Sequence, residues 1–298
     1  MKYQKELLWL LPIIGVLALI AAGAGLFWPV AGTPYPYTTL RGEQVMINAR
    51  GIYQYDTVSS TAQMQANDLV TLALGLPLLV ISAWMAWRSQ PNSAWNLRGR
   101  LLLTGTLGFF LYTYMSMCFA THFNNLFLVY VALFSLSLFA FVLAMMSFDL
   151  QSLPAQFSEH LPHNAIAGLL LATGSFLMLA WVGGRVLPAI QPSAVPALDN
   201  VTSMVIQVMD LGIILPACFV AAILLLRHRP WGYLLASVAV MKMLTMGVAV
   251  SLMGINQAIQ GVPESVVIVA IFITLTVINM LLAFLLLKNI HGLRAAAN

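Results

Sequence analysis

The stretch that decides the fold lies at residues 126–148 and reads LFLVYVALFSLSLFAFVLAMMSF, without one charged side chain. An α-helix rises about 1.5 Å per residue, so about 20 apolar residues cross the roughly 30 Å hydrocarbon core of a bilayer. This stretch therefore predicts a membrane-spanning helix. Comparable apolar runs recur along the chain and together predict eight such helices, near residues 7–30, 69–88, 101–122, 125–148, 164–188, 204–226, 231–254 and 265–288.

The composition of the whole chain agrees with this assignment. Of its 298 residues 61% are apolar and only 7% are charged, with a mean hydropathy of +0.91, whereas soluble domains carry about 25% charged residues. A water-facing exterior of this size needs far more charge, so lipid must cover it. We predict an all-α, polytopic membrane helical bundle whose first partner is the lipid bilayer.

The basic residues indicate how the chain is oriented. They stand singly at the ends of the apolar runs rather than in a stripe, so the net charge of +4 indicates topology and not a nucleic-acid partner. The positive-inside rule predicts a multi-pass protein of the cell membrane with its N- and C-termini in the cytoplasm. The residues assigned to the cytoplasmic side are Lys2, Lys5, Arg88, Arg98, Arg100, Arg227, Arg229, Lys288 and Arg294, against Arg41, Arg50 and Arg185 on the outer side.

The first apolar run has two interpretations. Lys2 and Lys5 precede it and Ala22-Gly23-Ala24 lies near its end, a pattern that also fits a cleavable signal peptide. We interpret the run as the first membrane-spanning helix.

The longest connection, residues 31–68, is expected on the extracytoplasmic side. Two short stretches at residues 43–48 and 52–56 flank Gly51, which predicts a possible β-hairpin. The loop either covers helix ends as a lid or binds a small ligand or a protein partner from outside.

The second and sixth apolar runs resemble each other. Pro77 and Arg88 are spaced as Pro216 and Arg227 are, and a turn containing Trp and Pro follows each run. Four crossings return a chain to its starting side, so the pattern fits two parallel four-helix repeats. We expect a first half at residues 1–148 with its outer loop 31–68, a second half at residues 164–298, and a cytoplasmic linker at residues 149–163.

The two most informative residues are charges that lipid should exclude. Asp210 lies roughly 9 Å from the outer end of the sixth run, and Lys242 roughly 16 Å from the cytoplasmic end of the seventh. Their heights then differ by only about 5 Å in the bilayer, and the short turn at residues 227–231 makes the two helices neighbours. Both charges are expected to face the protein interior, and a direct ion pair between Asp210 and Lys242 is sterically allowed if the two helix faces coincide, which the sequence does not decide. Neighbouring polar residues extend this predicted ligand or ion site: Gln207, Thr245 and Asn279.

Three interpretations of this charged pair stay open. A buried pair can simply fix the register of two helices. Intramembrane charges also mark substrate, ion or proton pathways. A desolvated Lys242 could form a Schiff base with an aldehyde ligand, with Asp210 as counter-ion.

A second polar pattern lies on the third run. Tyr114, Cys118 and His122 follow each other at a spacing of four residues, so they share one face of a helix. This outer polar stripe either lines a cavity or forms hydrogen bonds between helices. His122 is interpreted as a satisfied polar residue rather than a metal ligand.

Several membrane chemistries lack the residues they need. Paired intramembrane histidines for haem, a His-Glu-x-x-His zinc motif, a Cys-x-x-Cys motif and a Walker loop are all missing from the sequence. No catalytic residues are therefore assigned and no cofactor is specified. Three functions stay open: a small-solute, ion or proton-coupled carrier; a non-catalytic membrane subunit or receptor that recognises a partner through its outer loop; and an intramembrane enzyme with its reactive group on the outer side near His122. The enzyme is the least favoured of the three, because no complete catalytic set appears.

Overall fold

The structure, a computed structural model, describes residues 2–91, 93–263 and 265–292. Within these ranges it contains eight helices that are long and apolar enough to cross a membrane, which confirms the predicted helical architecture and is compatible with an integral membrane protein. They are α1 (Gln4–Phe27), α2 (Val58–Arg88), α3 (Ala94–Ala120), α4 (Phe127–Met146), α5 (His163–Ala189), α6 (Val205–Leu226), α7 (Pro230–Ile259) and α8 (Val266–Lys288).

Helix α2 differs most from its predicted bounds. It begins at Val58, not near residue 69, and Thr57 caps it by accepting a hydrogen bond from the Ser60 amide at 3.0 Å. Residues 58–68 are rich in Ser, Thr, Gln and Asn, so a hydropathy criterion places them in the preceding loop. The helix continues through them because Thr61, Asn67 and Asp68 are buried in the bundle and the other polar side chains are no more than partly exposed.

A two-stranded antiparallel sheet lies in the long connection between α1 and α2. Strand β1 (Tyr35–Thr38) pairs with strand β2 (Gln44–Ile47), and Tyr35 lies opposite Ile47. Strand β2 coincides with the first predicted stretch, but the second predicted stretch, residues 52–56, forms turns instead. The strands reverse at Gly42, whose φ of +86° favours glycine. The end of the bundle that carries this sheet is called the sheet end below.

The predicted basic residues gather at the other end, called the basic end because it carries Arg88, Arg98 and Arg227. Arg98 of α3 donates to the carbonyl of Leu287 in the last turn of α8 and to that of Ile290 just after it, at 2.7 and 3.0 Å. These bonds tie the two halves of the chain together. Arg294, one of the residues used to predict orientation, lies outside the described residues.

Helices α3 and α7 form the centre of the bundle. Helix α3 packs against α2, α4 and α7, while α7 packs against α2, α3, α6 and α8. Helix α1 covers α2 and α4, and α5 packs on α6 and α8.

The core of the second half is concentrated at the basic end. Its buried residues come from the start of α5, the end of α6, the start of α7 and the end of α8, with Ile166, Leu225, Leu234 and Leu286 as examples. The start of α3 and the connection between α4 and α5 also contribute to it. No comparable apolar cluster joins these four helices at the sheet end among the described residues. The second half is therefore tightly packed at one end and open at the other.

The contact between α3 and α7 depends on Gly105. A Cβ atom at this position would lie 2.4 Å from the Met241 Cβ and 2.7 Å from the Lys242 amide nitrogen. Backbone and Cβ atoms cannot move aside as a flexible side chain end can. The absence of a side chain at Gly105 is what allows α7 to approach α3 this closely.

We predict that Gly105→Ala destabilises the protein by about 1–3 kcal/mol, because overpacking pushes α7 away from α3. Thermal unfolding in detergent measures the effect. The matched control is Gly168→Ala on α5, where a Cβ atom meets nothing within 4 Å and alanine favours the helix. Equal stability of the two variants would contradict the proposed close contact.

Candidate functional site

A cavity of about 430 Å³ opens between the helices at the sheet end. Helices α2, α3, α5, α6, α7 and α8 all contribute to its wall, and residues 197–204 line its mouth. Along α7 it extends from Gln257 to Lys242, about 22 Å at 1.5 Å per residue. The cavity therefore reaches the middle of the bundle from one side. Its polar lining residues include Gln63, Asn67, Tyr112, Thr113, Ser116, Thr173, Trp181, Arg185, Gln207, Asp210, Lys242, Gln257 and Thr276.

Asp210 lies in the wall of this cavity and is only 8% exposed. One of its carboxylate oxygens accepts a hydrogen bond from the Tyr112 hydroxyl at 2.6 Å, and the other accepts one from the Trp181 indole N–H at 2.8 Å. Helices α3 and α5 thus each supply one donor to a carboxylate on α6. These bonds offset part of the cost of holding a carboxylate away from water.

The backbone at Asp210 is irregular for a local reason. A π-helical segment, Asp210–Ile214, begins at this residue and ends just before Leu215-Pro216. Proline has no N–H to donate to the carbonyl four residues earlier, so the wider turn accommodates the missing bond. The same arrangement occurs at Thr71–Gly75 before Leu76-Pro77 and at Leu179–Val186 before Leu187-Pro188.

Lys242 lies at the deep end of the cavity, and the direct ion pair with Asp210 that the sequence left open is not formed among the described residues. Its ammonium nitrogen lies 4.4 Å from the centroid of the Tyr112 ring instead. Tyr112 therefore stands between the two charges, with its hydroxyl on Asp210 and its ring under Lys242. Hydropathy and spacing along α6 and α7 could not reveal this, because the intervening residue comes from α3.

The other predicted members of this site separate into two groups. Gln207 lines the cavity together with Asp210 and Lys242. Thr245 is fully buried and donates to the Lys242 carbonyl at 3.0 Å, while Asn279 donates to the Val240 carbonyl at 3.1 Å. Thr245 thus bonds to the backbone of its own helix α7 and Asn279 joins α8 to α7, and neither residue lines the cavity.

The residues of the predicted outer polar stripe do not line the cavity. Tyr114 stacks with the rings of Phe110 and Tyr130, and Cys118 is partly buried beside the core of the first half. The α3 residues that line the cavity are Tyr112, Thr113, Ser116 and Met117, together with Ala120. The stripe faces the first half of the bundle, and the cavity lies on another face of α3.

His122, the third residue of the stripe, connects the end of α3 to the long loop through Asp56. Its amide donates to an Asp56 carboxylate oxygen at 2.9 Å, and its imidazole Nδ1 lies 3.3 Å from the same oxygen. Hydrogen bonding to Asp56 raises the pKa of His122 above its ordinary value. The charged imidazolium is thereby favoured in this contact.

A second buried acid, Asp68 on α2, lies on the side of that helix next to α1. The Tyr53 hydroxyl donates to its carboxylate at 2.7 Å, and Asp68 is only 2% exposed. Gly25 of α1 faces this carboxylate, and a Cβ atom there would overlap with it. The preceding residue, Asn67, faces the cavity instead and accepts a hydrogen bond from Thr113 at 3.4 Å.

The sheet holds the mouth of the cavity in place. Arg41 donates to the Thr202 carbonyl at 3.2 Å, and the Glu43 carboxylate accepts from the Leu198 amide at 2.9 Å. Asn200 donates in turn to the Tyr55 carbonyl at 2.8 Å. The long loop thus controls where the segment that borders the cavity lies.

In the described ranges, no three side chains of His, Cys, Asp or Glu come together as a metal ion would require. The two cysteines, Cys118 and Cys218, are free thiols. The cavity offers hydrogen-bonding groups, one ammonium and a large apolar wall, which is chemistry suited to binding a small molecule.

Comparison with family models, with curated proteins and with solved structures finds no match.

We predict that Tyr112→Phe destabilises the protein by about 1–3 kcal/mol, because it leaves a buried Asp210 oxygen without its donor. Thermal unfolding in detergent measures the loss. The matched control is Tyr114→Phe two residues away, since the Tyr114 hydroxyl is buried without a hydrogen-bond partner among the described residues. Removing that hydroxyl should cost little stability, and a loss as large as that of Tyr112→Phe would contradict the described hydrogen bonding.

Proposed function

We propose that this protein is a small-solute, ion or proton-coupled carrier of the cell membrane, and that its solute binds in the cavity beside Asp210 and Lys242. One observation carries the proposal. The cavity is open at the sheet end down to Lys242, while an apolar core that includes Leu234 and Leu286 closes the basic end. A site at mid-membrane depth that is accessible from one side only is what a carrier presents in one of its two states.

The proposed orientation puts the basic end and both termini in the cytoplasm and the sheet outside. The concentration of arginine and lysine at the basic end supports it, as the positive-inside rule expects. The cavity would then face the exterior, and the carrier would receive its solute from outside in this state.

We further propose that α1–α4 and α5–α8 are parallel repeats. Helices α1 and α4 pack together as α5 and α8 do, and α3 packs on its counterpart α7. The Leu-Pro sequences of α2 and α6, each preceded by a π-helical segment, lie at corresponding positions of the two halves. Inter-repeat sites with interrupted helices are frequent in carriers, because the interruptions allow one part to rock against the other.

The alternative is a non-catalytic membrane subunit or receptor that binds a partner through the outer loop. Exposed large side chains on the sheet and its turn favour it, since Tyr35 and Tyr37 are each nearly half exposed and Leu40 is fully exposed. If the protein is such a subunit or receptor, the apolar core at the basic end does not need to open.

Cysteine accessibility separates the two functions. Val238 lies one turn toward the basic end from Lys242 and is 7% exposed within the closing core. In a background with Cys118→Ser and Cys218→Ala, a Val238→Cys variant in oriented vesicles is treated with a charged, membrane-impermeant methanethiosulfonate. The carrier proposal predicts reaction when the reagent is on the basic-end side, because the core must open there to release a solute.

Two further variants control this experiment. Met246→Cys lies in the cavity wall and should react from the sheet-end side, which shows that the protein is folded and accessible. Leu281→Cys, 59% exposed on the outside of α8, should resist a charged reagent because lipid covers it. If Met246→Cys reacts and Val238→Cys never does from the basic-end side, the carrier proposal is wrong and the receptor is favoured.

A further inference from the structure

The two charges at the deep end of the cavity differ in how well they are satisfied. Each Asp210 carboxylate oxygen already accepts a hydrogen bond, from Tyr112 and from Trp181. Both donors are themselves fixed in the cavity wall. Asp210 therefore serves as an anchor of the site's own structure.

Lys242 is different, because its ammonium donates no hydrogen bond and forms no ion pair to any described residue. Its contact with the Tyr112 ring satisfies the charge in part but leaves the three N–H donors for another group. An ammonium away from bulk water is costly unless an acceptor meets it. The acceptor that gains most is an anion with several oxygens, since such hydrogen bonds are charge-assisted.

The wall between Lys242 and the mouth is largely apolar. Methionines at positions 243, 246 and 253 line one side, and Leu177 and Phe272 line other parts of it. Methionine side chains are flexible and polarizable, so they adapt to apolar groups of different shapes. A fully hydrated inorganic anion or a sugar would leave this surface without a suitable partner.

The mouth does not select for one sign of charge. Arg185 and Asp199 both border it, one of each sign. Discrimination by charge must therefore occur at the deep end, where Lys242 is the group with unused donors.

From these contacts we infer that the cavity takes amphipathic monoanions, with an apolar body against the methionine-rich wall and a carboxylate or similar oxyanion on the Lys242 ammonium. The inference rests on the proposed function, in that a solute enters this cavity. It goes beyond it by naming the ligand class and the atom that recognises the charge.

The test uses the purified full chain in lipid nanodiscs and three probes that share one ring system: 2-naphthoate, uncharged 2-naphthol and cationic 2-naphthylmethylammonium. Isothermal titration calorimetry reports binding. 2-Naphthoate should bind about ten- to a hundredfold more tightly than 2-naphthol, the gain expected of a charge-assisted hydrogen bond. The cationic probe should bind more weakly than the uncharged one.

Substitutions at the lysine assign the effect to its charge. Lys242→Met should reduce the affinity for 2-naphthoate to that for 2-naphthol, while Lys242→Arg keeps the preference for the anion. The matched control is Lys288→Met, which removes a lysine that is exposed at the end of α8 and lies outside the cavity. If Lys242→Met does not fold, the affinities of the three probes for the unchanged protein and for Lys242→Arg still test whether the cavity prefers the anion.

Equal affinity for 2-naphthoate and 2-naphthol would overturn the inference, and so would tightest binding of the cationic probe. A preference for the anion that survives in Lys242→Met would overturn the role of Lys242. These failures leave the carrier proposal standing if Val238→Cys reacts from the basic-end side. Conversely, binding that follows the expected order while Val238→Cys stays unreactive supports the ligand class but not transport.

Discussion

Lipid offers no hydrogen bonds, and the rest of the structure depends on that constraint. A polar group within the eight helices is therefore stabilised when it finds a partner inside the bundle or lines a space that water can enter. Asp68 meets Tyr53 between α1 and α2, and Asn279 bonds to the backbone of α7. Apolar side chains that are not packed in the core, such as Val80 and Leu281, are turned toward the outside of the bundle.

The cavity follows from the same constraint combined with uneven packing. The absence of a side chain at Gly105 lets α7 pack closely against α3, and an apolar core holds helices α5, α6, α7 and α8 together at the basic end. Toward the sheet end these helices separate, and polar residues of α2 and α3 face the gap. Tyr112 then links the charges of the second half, because its hydroxyl binds Asp210 and its ring contacts Lys242.

The helices were predictable from the sequence because each needs only a long apolar run, and Asp210 and Lys242 stood out as charges within such runs. Asp68 did not, because it lies in the polar first part of α2, which the sequence assigned to the loop. The start of α2 could not be predicted from the sequence, since residues 58–68 are polar and their inward orientation depends on neighbours far along the chain. Trp181 gave no signal within an apolar run, although a buried indole N–H requires an acceptor. Tyr112 was visible as a polar residue, but its role depends on which face of α3 meets α6 and α7. The partners of Trp181 and Tyr112 are set by packing between helices, so the periodicity of a single helix cannot predict them.

The central claim is that lipid covers the outside of the bundle while water reaches the cavity as far as its middle. Nitroxide spin labels on Met246→Cys and Leu281→Cys, in the background without native cysteines, test it by electron paramagnetic resonance in lipid vesicles. The label at position 246 should collide more with a water-soluble nickel complex than with oxygen, and the label at position 281 should show the reverse, because oxygen concentrates in lipid. A label at position 246 that meets only oxygen, or one at position 281 that meets the nickel complex, would contradict the account.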